Sequence, residues 1–187
     1  MKTKTRSHIL HLGCGNEKKL GAIGVDINPL LKPDVVHDLN SFPYPWKSNH
    51  FEKVVAENIL EHLDNIVRVM EELYRISKNG AVVYVTTGHF SSVDSFTDPT
   101  HRHFFTSSTF DYFIPGTPLY KYGYSKSRFK KLRVWVGPEK NLNPLLYLIL
   151  KIINKNVVFY EKRFAFIFPA GVITYELEVI KNPKRKT

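Results

Sequence analysis

Apolar residues in the first half of this 187-residue chain come in short blocks that end at turn residues. Ile9-Leu10-His11-Leu12 stops at Gly13-Cys14-Gly15, and Ala22-Ile23-Gly24-Val25 ends on Asp26. With Val35-Val36-His37-Asp38 and Phe51 to Ala56, these blocks predict strands at 8–12, 22–26, 35–38 and 51–56. The period then changes. Leu60, Leu63, Val67, Met70 and Tyr74 recur at three- and four-residue steps, which predicts an amphipathic helix that Asn79-Gly80 stops. Residues 81–87 are nearly all apolar or β-branched and read as a strand covered on both faces. Farther on, Phe129 to Val136 and Val172 to Ile180 read as strands. Between them Asn143-Pro144 opens a helix, apolar almost all round from Leu145 to Ile153.

Strands alternating with crossovers predict an α/β fold with a mostly parallel, doubly wound sheet. Ligands of such sheets sit beyond the carboxyl ends of the strands, where Gly13, Asp26, Asp38 and Glu57 all fall. A Gly-x-Gly turn lets backbone N–H groups approach a ligand closely, and a carboxylate after the next strand accepts from ribose hydroxyls. A dinucleotide fingerprint needs a third glycine where this chain has Lys18, and an acidic residue later than Asp26. A P-loop needs a Gly-Lys-Ser/Thr that is missing. An adenosine cofactor without phosphates remains, and S-adenosylmethionine fits.

The length predicts one domain over 1–187. The single cysteine, Cys14, permits no internal disulfide, suits a reducing compartment and reads as a small buried filler. No run reaches the ~20 apolar residues of a bilayer span, and the basic N-terminus is not followed by a signal-peptide core, so a cytoplasmic protein is expected. A net charge of +10 points to an anionic partner, such as RNA or a phospholipid surface, or to a solvated basic surface. Tyrosines and basic residues interleave from Tyr112 to Arg133, a mixture that suits RNA, glycan or lipid-phosphate head groups equally.

HLGCGN, GVDINP, HDLNSFPYPW, FEKVVAENILEHL and the helix running through RISKNG into AVVYVTT occur in the order of a known family. Together with DPTHRHFFTSSTF they make the chain resemble small class I S-adenosylmethionine-dependent methyltransferases of the type-11 group, over roughly residues 8–113. The resemblance implies a Rossmann-like seven-stranded sheet with an antiparallel C-terminal hairpin. It also implies a cofactor site: Gly13, Cys14 and Gly15 along the methionyl portion, Asp26 on the ribose with Ile27 beside it, and Asp38 on the adenine amino group with Leu39 flanking the ring. The backbone at Glu57-Asn58 would hold the methionine ammonium, with His62 near. Two departures stand out. The first crossover has only Asn16 to Gly21 and must be very short, and no helices precede the first strand. An open active site is expected, completed by a large substrate, by a second subunit in a homodimer, or by an insert or lid near 89–125.

Methyl transfer needs a base only when the nucleophile carries a proton. His101 and His103, with Asp98 orienting them, are the candidates, and a simple turn is the bland alternative. The H-x-H pair alone is too weak a signal to assign a metal. Residues 145–153 are expected to be buried in a dimer or against the sheet, with a membrane-surface helix flanked by Lys151 and Lys155 as the alternative. The sequence thus predicts a methyltransferase acting on an oxygen or nitrogen nucleophile of an anionic or bulky acceptor. The competing reading is a non-catalytic RNA- or membrane-binding module that keeps the fold.

Overall fold

A computed structural model describes residues 8–139 and 143–181. Seven strands form one sheet: β1 (Ile9–Leu12), β2 (Ile23–Asp26), β3 (Val35–Val36), β4 (Phe51–Glu57), β5 (Ser77–Gly88), β6 (Phe129–Val136) and β7 (Val172–Val179). Their spatial order is β3-β2-β1-β4-β5-β7-β6. The first five run parallel, and β7 lies antiparallel between β5 and β6. This is the predicted α/β architecture, with the C-terminal hairpin and the shortened first crossover.

Helix α1 (Ile66–Ile76) begins later than the apolar period suggests. Leu60–His62 forms a 3-10 turn, Leu63 is extended, and the Asn65 side chain caps the helix by accepting from the Arg68 amide at 3.0 Å. The helix ends before Asn79-Gly80. Those residues lie inside β5, where Gly80 takes φ +79° and the β4–β5 register shifts between Phe51 and Lys53. Val69, Met70, Leu73 and Ile76 of α1 pack on the sheet face that carries Leu10, Val54 and Val83.

The opposite face is a correction to the reading of β5 as covered on both sides. Burial along β5 alternates, so Val82, Tyr84 and Thr86 are only half buried. Across the register they share a face with Lys53, Val55 and Glu57 of β4 and with Thr174, Glu176 and Glu178 of β7. The crossovers explain this. Between β1 and β2 the described residues form a loop with no helix, and between β2 and β3 there is only the 3-10 turn Pro29–Leu31. Charge fixes the first loop: Lys18 pairs with Asp34 at 2.9 Å and Lys19 with Glu57 at 2.6 Å.

After β5 come a single turn, α2 (Asp94–Thr97), and two 3-10 segments at Thr109–Phe113 and Leu119–Tyr122. Two helices, α3 (Pro144–Lys155) and α4 (Val157–Arg163), then lead toward β7. Of residues 145–153, expected to be buried in a dimer or against the sheet, Leu150 is buried beside Gly137 at the end of β6, while Leu145, Leu148 and Ile152 are more than half exposed. Helix α4 is anchored differently. Glu161 accepts from the Ser107 amide at 2.6 Å, from the Ser107 hydroxyl at 2.7 Å and from Nε2 of the fully buried His89 at 3.3 Å. Ser91 Oγ lies 2.7 Å from Nδ1 of the same ring. Burial pushes the Glu161 carboxyl up, but the bonds from His89 and Ser107 outweigh it and hold it below its usual 4.5.

A carboxyl held low stabilises the fold fully above pH 4.5, and that contribution is lost as pH falls through the lowered value. Melting temperature measured against pH should therefore drop more steeply below pH 4.5 in the parent than in Glu161→Gln. Glu161→Ala, which strands His89 in the interior, should cost about 2–4 kcal/mol in urea unfolding at pH 7.

Candidate functional site

The turn after β1 is built on positive φ. Gly13 adopts φ +55° and Gly15 φ +49°, conformations that L side chains rarely take. A Cβ on Gly13 would also sit 2.6 Å from the Ile59 side chain. Asp26 ties the turn to β2: Oδ2 accepts from the Gly15 amide and Oδ1 from the Asn28 amide, each at 2.9 Å. Each carboxylate oxygen retains a lone pair for a further donor.

Beyond the strand ends lies an open cleft walled by Gly13, Asp26, Ile27, Asp38, Leu39 and His62, all of them predicted site residues. His37, Asn40, Ile59 and Leu63 complete its wall, and the sequence reading gave none of them a role. Their signal was adjacency to assigned residues, since each sits one or two positions from Asp38 or His62 or, for Ile59, follows Asn58. Asp38 Oδ1 accepts from the Asn40 amide at 2.9 Å, and Asn40 Oδ1 accepts from the Asp64 amide at 2.8 Å. Leu39 is buried, its carbonyl taking the Tyr44 hydroxyl at 3.0 Å.

Other predicted residues lie elsewhere. Cys14 is buried, and its Sγ occupies the space beside Gly24; burial, with the Asp26 charge, pushes its thiol up, which suits a filler. The Glu57 side chain turns to the open sheet face, toward Lys19. Asn58 takes φ +48° and donates its amide to the Thr86 carbonyl at 2.8 Å, which fixes the chain where it enters the cleft wall at Ile59.

Three histidines gather beside the cleft. His62 and His101 meet edge to face with ring centroids 4.7 Å apart. His62 Nδ1 lies 2.8 Å from Thr100 Oγ1, which donates to Asp98 Oδ1 at 2.7 Å. Asp98 also accepts from the Thr100 amide, and these two bonds hold its carboxyl below the usual range. Asp98 thus reaches His62 through Thr100, and it is the Ser95 carbonyl, 3.0 Å from Nδ1, that orients His101. His103 Nε2 donates to the Leu63 carbonyl at 2.8 Å. His103 lines a separate groove with Phe104, Tyr112, Phe113 and Tyr124, in which Tyr112 and Tyr124 stack at 4.9 Å.

Gly13→Ala should destabilise the protein by about 1–3 kcal/mol, because backbone strain and the Ile59 overlap act together. Gly15→Ala, with open space around the added methyl, should cost less, about 1 kcal/mol. Urea unfolding of the two variants side by side tests that order.

Residues 10–85 match the methyltransferase domain family. No curated protein matches the chain by sequence. Among solved structures, a SAM-dependent methyltransferase from Archaeoglobus fulgidus superposes with TM-score 0.56 at 19% identity, covering 91% of this chain and 85% of that one. An S-adenosylmethionine-dependent methyltransferase from Mesorhizobium loti gives 0.57 at 14%, covering 91% and 89%. A Haemonchus contortus phosphoethanolamine N-methyltransferase, in complex with phosphomonomethylethanolamine and S-adenosylhomocysteine, gives 0.51 at 15%, covering 93% of this chain and 48% of that one. The chain therefore shares the fold of these S-adenosylmethionine-dependent methyltransferases, and the family match lies within that fold at residues 10–85.

Proposed function

We propose that this protein is an enzyme that methylates an oxygen or nitrogen nucleophile on a bulky, anionic acceptor, with S-adenosylmethionine held in the cleft beyond β1, β2 and β3. The observation that carries the reading is the charge of the wall. Asp26 and Asp38 line it, and among the described residues neither lysine nor arginine does. Two carboxylates and a partly apolar wall repel a pyrophosphate and suit a cationic sulfonium with ribose hydroxyls and an adenine amine.

Each residue then has a role. The Gly13–Gly15 turn lets the chain pass close to the methionyl portion, and Cys14 backs that turn from the core side. Asp26 accepts from the ribose hydroxyls, and Asp38 from the adenine amine, between Ile27 and Leu39. The Glu57-Asn58 backbone and His62 lie toward the amino-acid end. When bound, the cofactor supplies an electrophilic methyl group. His101 is the favoured proton acceptor, because its Nδ1–H is spent on Ser95 and Nε2 keeps a lone pair. Asp98 then acts as a positioning residue, through Thr100 and His62. The segment at 89–125 supplies both His101 and the aromatic groove and forms the acceptor side of one catalytic domain.

The exposed side of α3, α4 and the turn that follows supports a membrane source for the acceptor. Leu148, Ile152, Phe159, Phe166 and Phe168 are at least half exposed. Lys151, Lys155, Lys162 and Arg163 are interleaved with them. The one acidic residue from 143 to 168, Glu161, is committed to His89 and Ser107. An apolar and cationic face of this kind suits an anionic lipid surface, from which a lipid-phosphate acceptor is presented. No helix among the described residues is long and apolar enough to cross a membrane.

Calorimetric titration tests the cofactor: S-adenosylmethionine and S-adenosylhomocysteine should bind at micromolar concentration and NADH should not. Asp26→Ala should weaken both by at least 10-fold, as loss of charge-assisted bonds of about 1.5–3 kcal/mol requires. No heat with either sulfur ligand at millimolar concentration would overturn the enzyme reading and leave a binding module. Co-sedimentation tests the surface. The chain should pellet with vesicles containing phosphatidylglycerol and stay in the supernatant with phosphatidylcholine alone, and Leu148→Glu combined with Phe166→Glu should abolish pelleting. A stable dimer in ultracentrifugation that ignores vesicles would assign the face to a second copy instead.

A further inference from the structure

One buried glutamate carries an oxygen without a hydrogen-bond partner. Glu61 belongs to the 3-10 turn after β4 and is 3% exposed, and its Oε2 is sealed from solvent with no hydrogen-bond donor. The other orphaned carboxylate oxygen among the described residues, on Asp111, is paired with Lys131. A buried carboxyl oxygen without a partner is costly, and a cation bound beside it would offset that cost.

The groups around it suit a metal ion. One ligand atom each from Glu61, His62 and His101 lies within 4.8 Å of the other two. The hydrogen bonds of the two rings settle which nitrogens are free. A carbonyl only accepts, so His101 Nδ1 carries the proton that Ser95 receives, and Nε2 is left with its lone pair. Thr100 has one hydroxyl proton and gives it to Asp98, so its oxygen accepts from His62 Nδ1, and in the neutral His62 ring Nε2 is the nitrogen that carries the lone pair. In each ring the far N–H is fixed by an oxygen acceptor, as metal-binding histidines generally are. Neither bond is needed to explain the cofactor cleft.

We propose that Glu61, His62 and His101 form a binding site for a divalent transition-metal ion at the edge of the cofactor cleft. Two neutral imidazoles and one carboxylate suit Zn²⁺, Fe²⁺, Co²⁺ or Mn²⁺, whereas Mg²⁺ and Ca²⁺ favour all-oxygen sets. Bonds of about 2.1 Å place ligand atoms roughly 3–3.5 Å apart, so the side chains close slightly around the ion. Three protein ligands leave a coordination position open. If methyl transfer is the reaction, the metal would bind the acceptor oxygen at that position and lower its pKa. The proton then leaves to solvent before the O–CH3 bond forms and the S–CH3 bond breaks to release S-adenosylhomocysteine. His101 then serves as a ligand in place of a base. This role rests on the methyltransferase reading, but the binding itself does not.

The test is a titration of the EDTA-treated full chain with Co²⁺, read by visible absorption, followed by displacement with Zn²⁺. One equivalent should bind, and Zn²⁺ should raise the melting temperature. Glu61→Gln, which keeps shape and removes the charge, and His101→Ala should each weaken binding about 100-fold or more while circular dichroism stays unchanged. His103→Ala should bind like the parent, since that ring serves the Leu63 carbonyl. Absence of saturable binding of Co²⁺, Zn²⁺ and Mn²⁺ up to 1 mM overturns the proposal. So does equal affinity in the parent, Glu61→Gln and His101→Ala. Calorimetry with S-adenosylmethionine on the metal-free chain keeps the two readings separate, because cofactor binding without metal binding sinks only the metal site.

Discussion

A short loop returns the chain from β1 to β2, and much of the molecule is arranged around its brevity. A crossover of this kind normally carries a helix that covers one face of the sheet. Here that face stays only half covered, and the loop is fixed by charge in place of a helix, through Lys18 to Asp34 and Lys19 to Glu57. His11 records the same constraint. Its Nδ1 accepts from the Lys19 amide at 3.2 Å, and burial holds its pKa below the ordinary value, so the ring stays neutral beneath the loop. Glu57 is drawn to that side as well, and the cleft wall is left to the residues after it.

The other face concentrates both the core and the chemistry. Helix α1 packs there, and the chain that enters it through Leu60 to Leu63 supplies one wall of the cleft. The segment 89–113 supplies the other polar groups, so His62 and His101 are brought together by two loops on one side of the sheet. The open cleft beyond the strand ends, the Glu61, His62 and His101 cluster and the aromatic groove follow one another along that side. The apolar face of α3 and α4 is attached by the hydrogen bonds of Glu161 with His89 and Ser107.

What the sequence made legible was local. The strand blocks, the glycine turn and the carboxylates at the strand ends depend on neighbours a few residues away, and each lies where the pattern put it. The start of α1 was hidden because Leu60 and Leu63 fit a helical period although the chain bends before Asn65. The half-wet face of β5 was hidden because Val82, Tyr84 and Thr86 are as β-prone as buried residues. Their exposure depends on crossover lengths far away. Glu61 was hidden for a similar reason: a glutamate in an amphipathic stripe reads as solvated, and only the tertiary turn shows it buried. Its partner His101 lies across a long stretch of chain that carries no periodic signal.

The strand order has a consequence for synthesis. β5 is bordered by β4 on one side and β7 on the other, so its second edge is closed only by residues 172–179. While the chain emerges from the ribosome, the parallel half can assemble, yet Val82, Val83 and Val85 present an apolar edge until more than eighty further residues have been made. The time taken to make that stretch is thus the time for which one strand edge of the central sheet lies open to wrong pairing.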